Sequence, residues 1–85
     1  MKYIFVDESW EDYQYWIKTD KKILVRINDL IKDISRNPYT GIGKPEPLKY
    51  KYKGFWSRRI TDEHRLIYQV KANEILILKC RFHYD

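Results

Sequence analysis

Phe55-Trp56-Ser57-Arg58-Arg59-Ile60, Arg65-Leu66-Ile67-Tyr68-Gln69-Val70 and Ile75-Leu76-Ile77-Leu78-Lys79-Cys80-Arg81-Phe82-His83 follow one another near the end of this 85-residue sequence. Each run is rich in β-branched and aromatic residues and reads as a strand. Thr61-Asp62-Glu63 and Lys71-Ala72-Asn73-Glu74 separate them. Connections this short suit antiparallel hairpins and leave no room for a parallel crossover. Side chains alternate across a strand, so Leu66, Tyr68 and Val70 are expected on one face with Leu76, Leu78, Cys80 and Phe82. The same parity puts Trp56 and Ile60 inward with that set. Ser57, Arg59, Arg65, Ile67, Gln69, Lys79, Arg81 and His83 then face outward, giving a cationic open face.

Helices supply the cover for the apolar face. Tyr3-Ile4-Phe5-Val6 reads as one further strand, and Asp7 and Ser9 offer N-caps to a helix over about Glu8 to Lys18. Trp10, Tyr13, Trp16 and Ile17 recur at its spacing. Thr19-Asp20 interrupts this helix and caps a second, in which Ile23, Leu24, Ile27, Leu30, Ile31 and Ile34 form a 3.6-period stripe. Arg36-Asn37-Pro38 ends it. The fold class is therefore α+β, two N-terminal helices packed on one face of a mainly antiparallel twisted sheet, as a single domain over residues 1–85.

Composition narrows the function classes. Hydrophobic residues make up 44% and charged residues 34%, with three Gly and three Pro, which is the balance of a folded domain rather than a disordered one. Cys80 has no disulfide partner in the chain and reads as a small buried hydrophobe. No secretory signal is visible and the longest apolar run, Ile75 to Leu78, is too short to span a bilayer, so the expected location is the cytoplasm, away from membranes. The net charge is +5. Residues 1–36 are nearly balanced, whereas bases predominate from Lys44 to Arg81 and are interleaved with Tyr50, Tyr52, Phe55, Trp56 and Tyr68. Cations mixed with aromatic faces suit RNA or single-stranded nucleic acid.

The loop Tyr39-Thr40-Gly41-Ile42-Gly43-Lys44-Pro45-Glu46-Pro47 lacks the Gly-Lys-Ser/Thr ending of a nucleotide-hydrolase phosphate loop. Its chemistry rests instead on Glu46, stiffened by a proline on either side. RNA carries its own nucleophile, the 2′-hydroxyl, so cleavage needs a base, an acid for the leaving 5′-oxygen and cations for the phosphorane, with no metal or other cofactor. Glu46 is the candidate base and His83 the candidate acid. Arg65 can fork onto two phosphate oxygens, with Arg59 and Lys49 adding charge. Arg58 and Lys44 complete the candidate phosphate-binding set. Tyr84 can stack on a base or hydrogen-bond the phosphate.

Lys44-Pro45-Glu46-Pro47-Leu48-Lys49, Gly54-Phe55-Trp56-Ser57-Arg58-Arg59-Ile60-Thr61-Asp62-Glu63-His64-Arg65-Leu66-Ile67-Tyr68 and Cys80-Arg81-Phe82-His83-Tyr84 closely resemble the YoeB toxins of the RelE superfamily. The likeness extends to Glu8-Ser9-Trp10 and to Ile27-Asn28-Asp29-Leu30-Ile31-Lys32-Asp33. It implies a RelE-like, microbial-RNase-like fold and the toxin of a type II toxin–antitoxin pair. Such toxins enter the ribosomal A site and cut mRNA there, by way of a cyclic phosphate. On this resemblance Glu46 is the general base, His83 the general acid and Arg65 the phosphate stabiliser, with Lys49, Arg59 and Tyr84 assisting. The implied partners are mRNA and the rRNA of the ribosome, a YefM-type antitoxin whose acidic tail folds on binding, and a second copy of the chain. Contact with DNA would be indirect, through the antitoxin. The sequence departs from the family pattern by one residue, Asp85, which follows the His-Tyr pair and adds a carboxylate near the phosphate site. The alternative readings are a catalytically weak toxin acting mainly as an antitoxin-binding corepressor and, further off, a gyrase-poisoning relative, which would not need Glu46 and His83.

Overall fold

The computed structural model describes residues 1–83. Strand β1 (Lys2–Phe5) leads into helix α1 (Asp7–Thr19) and helix α2 (Lys21–Arg36). A glycine-containing loop, the two-residue strand β2 (Glu46–Pro47) and a 3-10 turn (Tyr50–Tyr52) follow, then β3 (Trp56–Arg59), β4 (Arg65–Lys71) and β5 (Glu74–Lys79). The five strands form one sheet in the order β1-β5-β4-β3-β2. Three of its pairings are antiparallel, as the short turns require. β1 lies parallel to β5 because both helices intervene between β1 and the meander.

Both helices begin where their sequences can satisfy free amides. Asp20 caps α2 by accepting the amides of Lys22 and Ile23 at 3.0 and 3.2 Å. At α1 the cap position falls to Val6 rather than Asp7 or Ser9. Ser9 sits one turn in, where its hydroxyl accepts the Val6 amide at 3.0 Å and donates to the Ile77 carbonyl of β5 at 2.6 Å. The apolar stripe of α2 delivers Ile27, Leu30 and Ile34 to full burial against Leu66, Tyr68, Ile75, Ile77 and Cys80 of the sheet, with Trp16 from α1 closing the layer.

The alternation expected of β5 fails at one point, for a local reason. Tyr68 pairs with Ile77 but Ile67 pairs with Lys79, so β5 carries one extra residue there. This bulge shifts the parity of everything before it. Ile75 and Ile77, not Leu76 and Leu78, enter the core, while Cys80 beyond the bulge points inward as expected. The strand also stops at Lys79, short of His83. Phe82 turns into the left-handed region at φ +64° and is 55% exposed, so it does not join the core.

Arg58 is the largest residue with no exposed surface, and it lies on the helix-facing side of β3, paired with Leu66. Its Nε donates to the Tyr68 hydroxyl, Nη1 to Asp33 and the Ile42 carbonyl, and Nη2 to the carbonyls of Asn37 and Thr40. A guanidinium has five N–H donors, and all five are used. The loop can wrap it this closely only because residues 41 and 43 are glycines in the left-handed region. A Cβ at Gly41 would collide with the Asp33 carboxylate, and one at Gly43 would meet a Leu30 methyl at 2.8 Å.

Arg58 bonding to Asp33 holds that carboxyl below the ordinary carboxylate range, helped by the Ile42 amide. A depressed folded-state pKa contributes stability at neutral pH that is lost as pH falls through it. Acid unfolding of wild type should therefore include a component absent from Asp33→Asn, measurable by circular dichroism across pH. Arg58→Met should cost about 3 kcal/mol, because three carbonyls and Asp33 lose their donors. Thermal melts should then show a drop of more than about 10 °C.

Candidate active site

The face of the sheet turned away from the helices is assembled by register, and it is less open than its alternation suggests, because Ser57 and Ile67 at its centre are buried. Glu46 pairs with Ser57 and Ser57 with Ile67, which sets these three side chains in one row. Arg59 pairs with Arg65 one row along, roughly 7 Å away at two residues per repeat. Glu46, Arg59 and Arg65 thus share the face turned away from the helices. Glu46 is exposed, and its backbone is fixed on both sides. The Gly43 carbonyl accepts the Arg59 amide at 2.7 Å, and the Leu48 amide donates to the Phe55 carbonyl at 2.9 Å. Leu48, two residues on, is buried. Prolines 45 and 47 are tolerated because β2 is the edge strand.

Arg65 is held rather than waving. It is 8% exposed, and its Nη1 donates to the carbonyls of Thr61, Asp62 and His64 at 2.6 to 3.1 Å. The hairpin that presents it is tied by the Thr61 hydroxyl, which accepts the amides of Glu63 and His64. A cation fixed before a ligand arrives pays no reorganisation cost when charge develops. Lys44 and Lys49 are exposed on the same loop as Glu46. Beside Glu46 lies an open groove of about 520 Å³ lined by Pro47, Leu48, Lys49, Tyr50, Lys51 and Tyr52. Tyr50, which the sequence reading treated only as one aromatic among several, stands 91% exposed at its rim.

His83 does not continue β5, contrary to the strand alternation expected of it, and is exposed beyond the end of that strand. The Arg65 amide donates to the Phe82 carbonyl at 3.0 Å, so His83 follows in the chain directly after a residue bonded to Arg65. The segment before it is carried by α1. Trp16 Nε1 donates to the Cys80 carbonyl at 2.8 Å and the Asp12 carboxylate accepts the Cys80 amide at 3.1 Å. Burial raises the Asp12 pKa above its ordinary value, against the lowering pull of that amide. The Arg81 guanidinium lies 3.5 Å from the Tyr15 ring centroid and 4.4 Å from that of Phe82. Tyr84, the remaining catalytic candidate, and Asp85 lie outside the described residues.

Three of the expected cations have partners within the protein. Arg58 is spent in the core, on the opposite side of the sheet. Lys79 lies 3.7 Å from Glu8 of α1, and Arg81 is stacked on Tyr15. The signal for Arg58 was available: it shares even parity with Trp56 and Ile60, both read as inward. His64 was also missed. It is buried, its ring meets Trp16 edge-on at 4.8 Å, and its Nδ1 accepts the Phe82 amide at 2.7 Å.

Cys80 is fully buried and its thiol pKa is pushed far above the ordinary range, chiefly by that burial. The folded protein should therefore leave an aromatic disulfide reagent unreduced at pH 8, and react with one equivalent only after denaturation. Rapid reaction without unfolding would show that α1 and the chain end are not packed together as described.

A model of the YoeB-like toxin of bacterial type II toxin–antitoxin systems matches residues 5–84. The toxin YoeB of Escherichia coli K12 is 60% identical over 84 residues, covering 99% of this chain and 100% of its own. A YoeB/ParE toxin structure from Agrobacterium tumefaciens superposes with a TM-score of 0.96 at 48% identity, covering 99% of this chain and all of that one. Structures from Staphylococcus aureus, a YoeB–YefM complex and a YoeB dimer, each give a TM-score of 0.93 at 46% and 47% identity, covering 99% of this chain and 98% of theirs.

Proposed function

The chain belongs to the YoeB-like toxin family of bacterial type II toxin–antitoxin systems, and from that premise we propose that it is a ribosome-dependent endoribonuclease that cuts translated mRNA in the A site. The observation that carries this reading is the register that sets Glu46, Arg59 and Arg65 on the sheet face turned away from the helices, with His83 one residue beyond the Phe82–Arg65 bond.

Each residue has a definite task in the transesterification. Glu46 takes the proton of the 2′-hydroxyl, whose oxygen then attacks the adjacent phosphorus. The crowded phosphorane gathers negative charge, which Arg65 meets from its fixed position and Arg59 from across the hairpin. The bond from phosphorus to the 5′-oxygen breaks as His83 gives that oxygen a proton. The products are a 2′,3′-cyclic phosphate, opened by water to a 3′-phosphate, and a 5′-hydroxyl. Lys44 and Lys49 draw the backbone toward the loop, and Tyr84, adjacent to His83 in the chain, is assigned to the base or phosphate.

Partners follow from surface chemistry. An antitoxin of the YefM type, with an acidic tail that folds on binding, suits the basic face. A second copy suits the helical layer, where Trp10, Ile17 and Val25 are exposed apolar residues. Among the described residues no helix is long and apolar enough to cross a membrane, and a toxin acting on mRNA in translation would work in the cytoplasm.

In a translation reaction programmed with a defined message, Glu46→Gln and His83→Gln should each slow cutting by about 10²- to 10⁴-fold. Both variants should retain the wild-type fold and still bind antitoxin. Wild-type cutting rates in both would remove the acid–base assignment. A chain acting only as a corepressor would leave no cut ends even as wild type.

A further inference from the structure

Resting on the ribonuclease reading, we propose that His64 is the residue that positions His83, and that it does so only while its Nδ1 carries no proton. The backbone of Phe82 is gripped at both ends. Its amide donates to His64 Nδ1 at 2.7 Å and its carbonyl accepts the Arg65 amide at 3.0 Å. Phe82 stands at φ +64°, a region that a bulky residue occupies only where surrounding bonds dictate it. Releasing the amide lets Phe82 relax, and the direction of the next residue, His83, changes with it.

The imidazole is itself immobile. It is 8% exposed and packed edge-on against Trp16, whose indole nitrogen holds the Cys80 carbonyl two residues earlier. An acceptor at Nδ1 fixes the tautomer with its proton on Nε2. Nε2 faces Glu63, whose Oε1 lies 3.8 Å away. Three other charged groups bind the backbone and rings next to it. Arg65 donates to the His64 carbonyl, Arg81 lies over the Phe82 ring, and Asp12 of α1 holds the Cys80 amide. A second proton would set an N–H against the Phe82 N–H and break the grip. A proton on Nδ1 therefore releases the segment that carries His83.

Asparagine and glutamine separate this role from packing, since the Asn amide reaches where Nδ1 stands and the Gln amide reaches toward Nε2. His64→Asn should keep cutting within about threefold of wild type, while His64→Gln should lose about 10- to 100-fold in kcat with KM within about twofold. Asparagine does not titrate, so the acid limb of the pH–rate profile should move to lower pH in His64→Asn. Independently of activity, the Phe82 amide resonance of the full chain should shift with pH in step with the His64 ring and lose that dependence in His64→Asn. A Phe82 amide indifferent to His64 titration, or wild-type kcat in His64→Gln, overturns the proposal. Should wild type leave mRNA uncut, the ribonuclease reading fails, and the Phe82 resonance still decides the clamp.

Discussion

The guanidinium of Arg58 sits with all five N–H donors bonded inside the protein, and the parts of the molecule that make a site possible converge on it. Asp33 brings the end of α2, the carbonyls of Asn37, Thr40 and Ile42 bring the loop, and the Tyr68 hydroxyl brings β4. Burying a charge is costly unless pairing and hydrogen bonds are complete, and here they are complete. The loop so anchored continues directly into Glu46. Its glycines are needed not to cradle a phosphate but to approach a cation from the protein's own core.

Helix α1 performs the matching task at the other end of the chain. Its aromatic stripe reads as core, but of that stripe Trp16 is buried whereas Trp10 and Ile17 are exposed. Yet three of its polar groups, on Ser9, Asp12 and Trp16, bond the backbone of residues 77–80. That carries the chain end off the bulged β5 toward the Arg65 hairpin. The face that gathers Glu46 and Arg65 is therefore shaped from two directions, by a loop tied to a buried arginine and by a tail tied to a helix.

Much of this was legible in the sequence. The α2 stripe, its Asp20 cap, the two hairpins and the outward pair Arg59 and Arg65 all follow from periodicity and turn length. What was not legible depends on single-residue shifts. A one-residue bulge in β5 exchanges Ile75 and Ile77 for Leu76 and Leu78, and alternating apolar residues on both faces give no hint of it. Arg58 looked like a phosphate ligand because a basic pair invites that reading, although its even parity pointed inward. The parallel placement of β1 beside β5 depends on contacts across some seventy residues, which local pattern does not encode. Lys79 and Arg81 meet Glu8 and Tyr15 of α1, partners likewise far away in sequence.

In the proposed reaction the 2′-hydroxyl of the message is the nucleophile, with Glu46 as base, Arg65 as cation and His83 as acid. The chemistry of the cut ends tests that most directly. Fragments from a translation reaction should carry a 5′-hydroxyl downstream and a cyclic phosphate or 3′-phosphate upstream. Fragments ending in a 3′-hydroxyl and a 5′-phosphate would contradict it, since they require water or another external nucleophile in place of the 2′-oxygen.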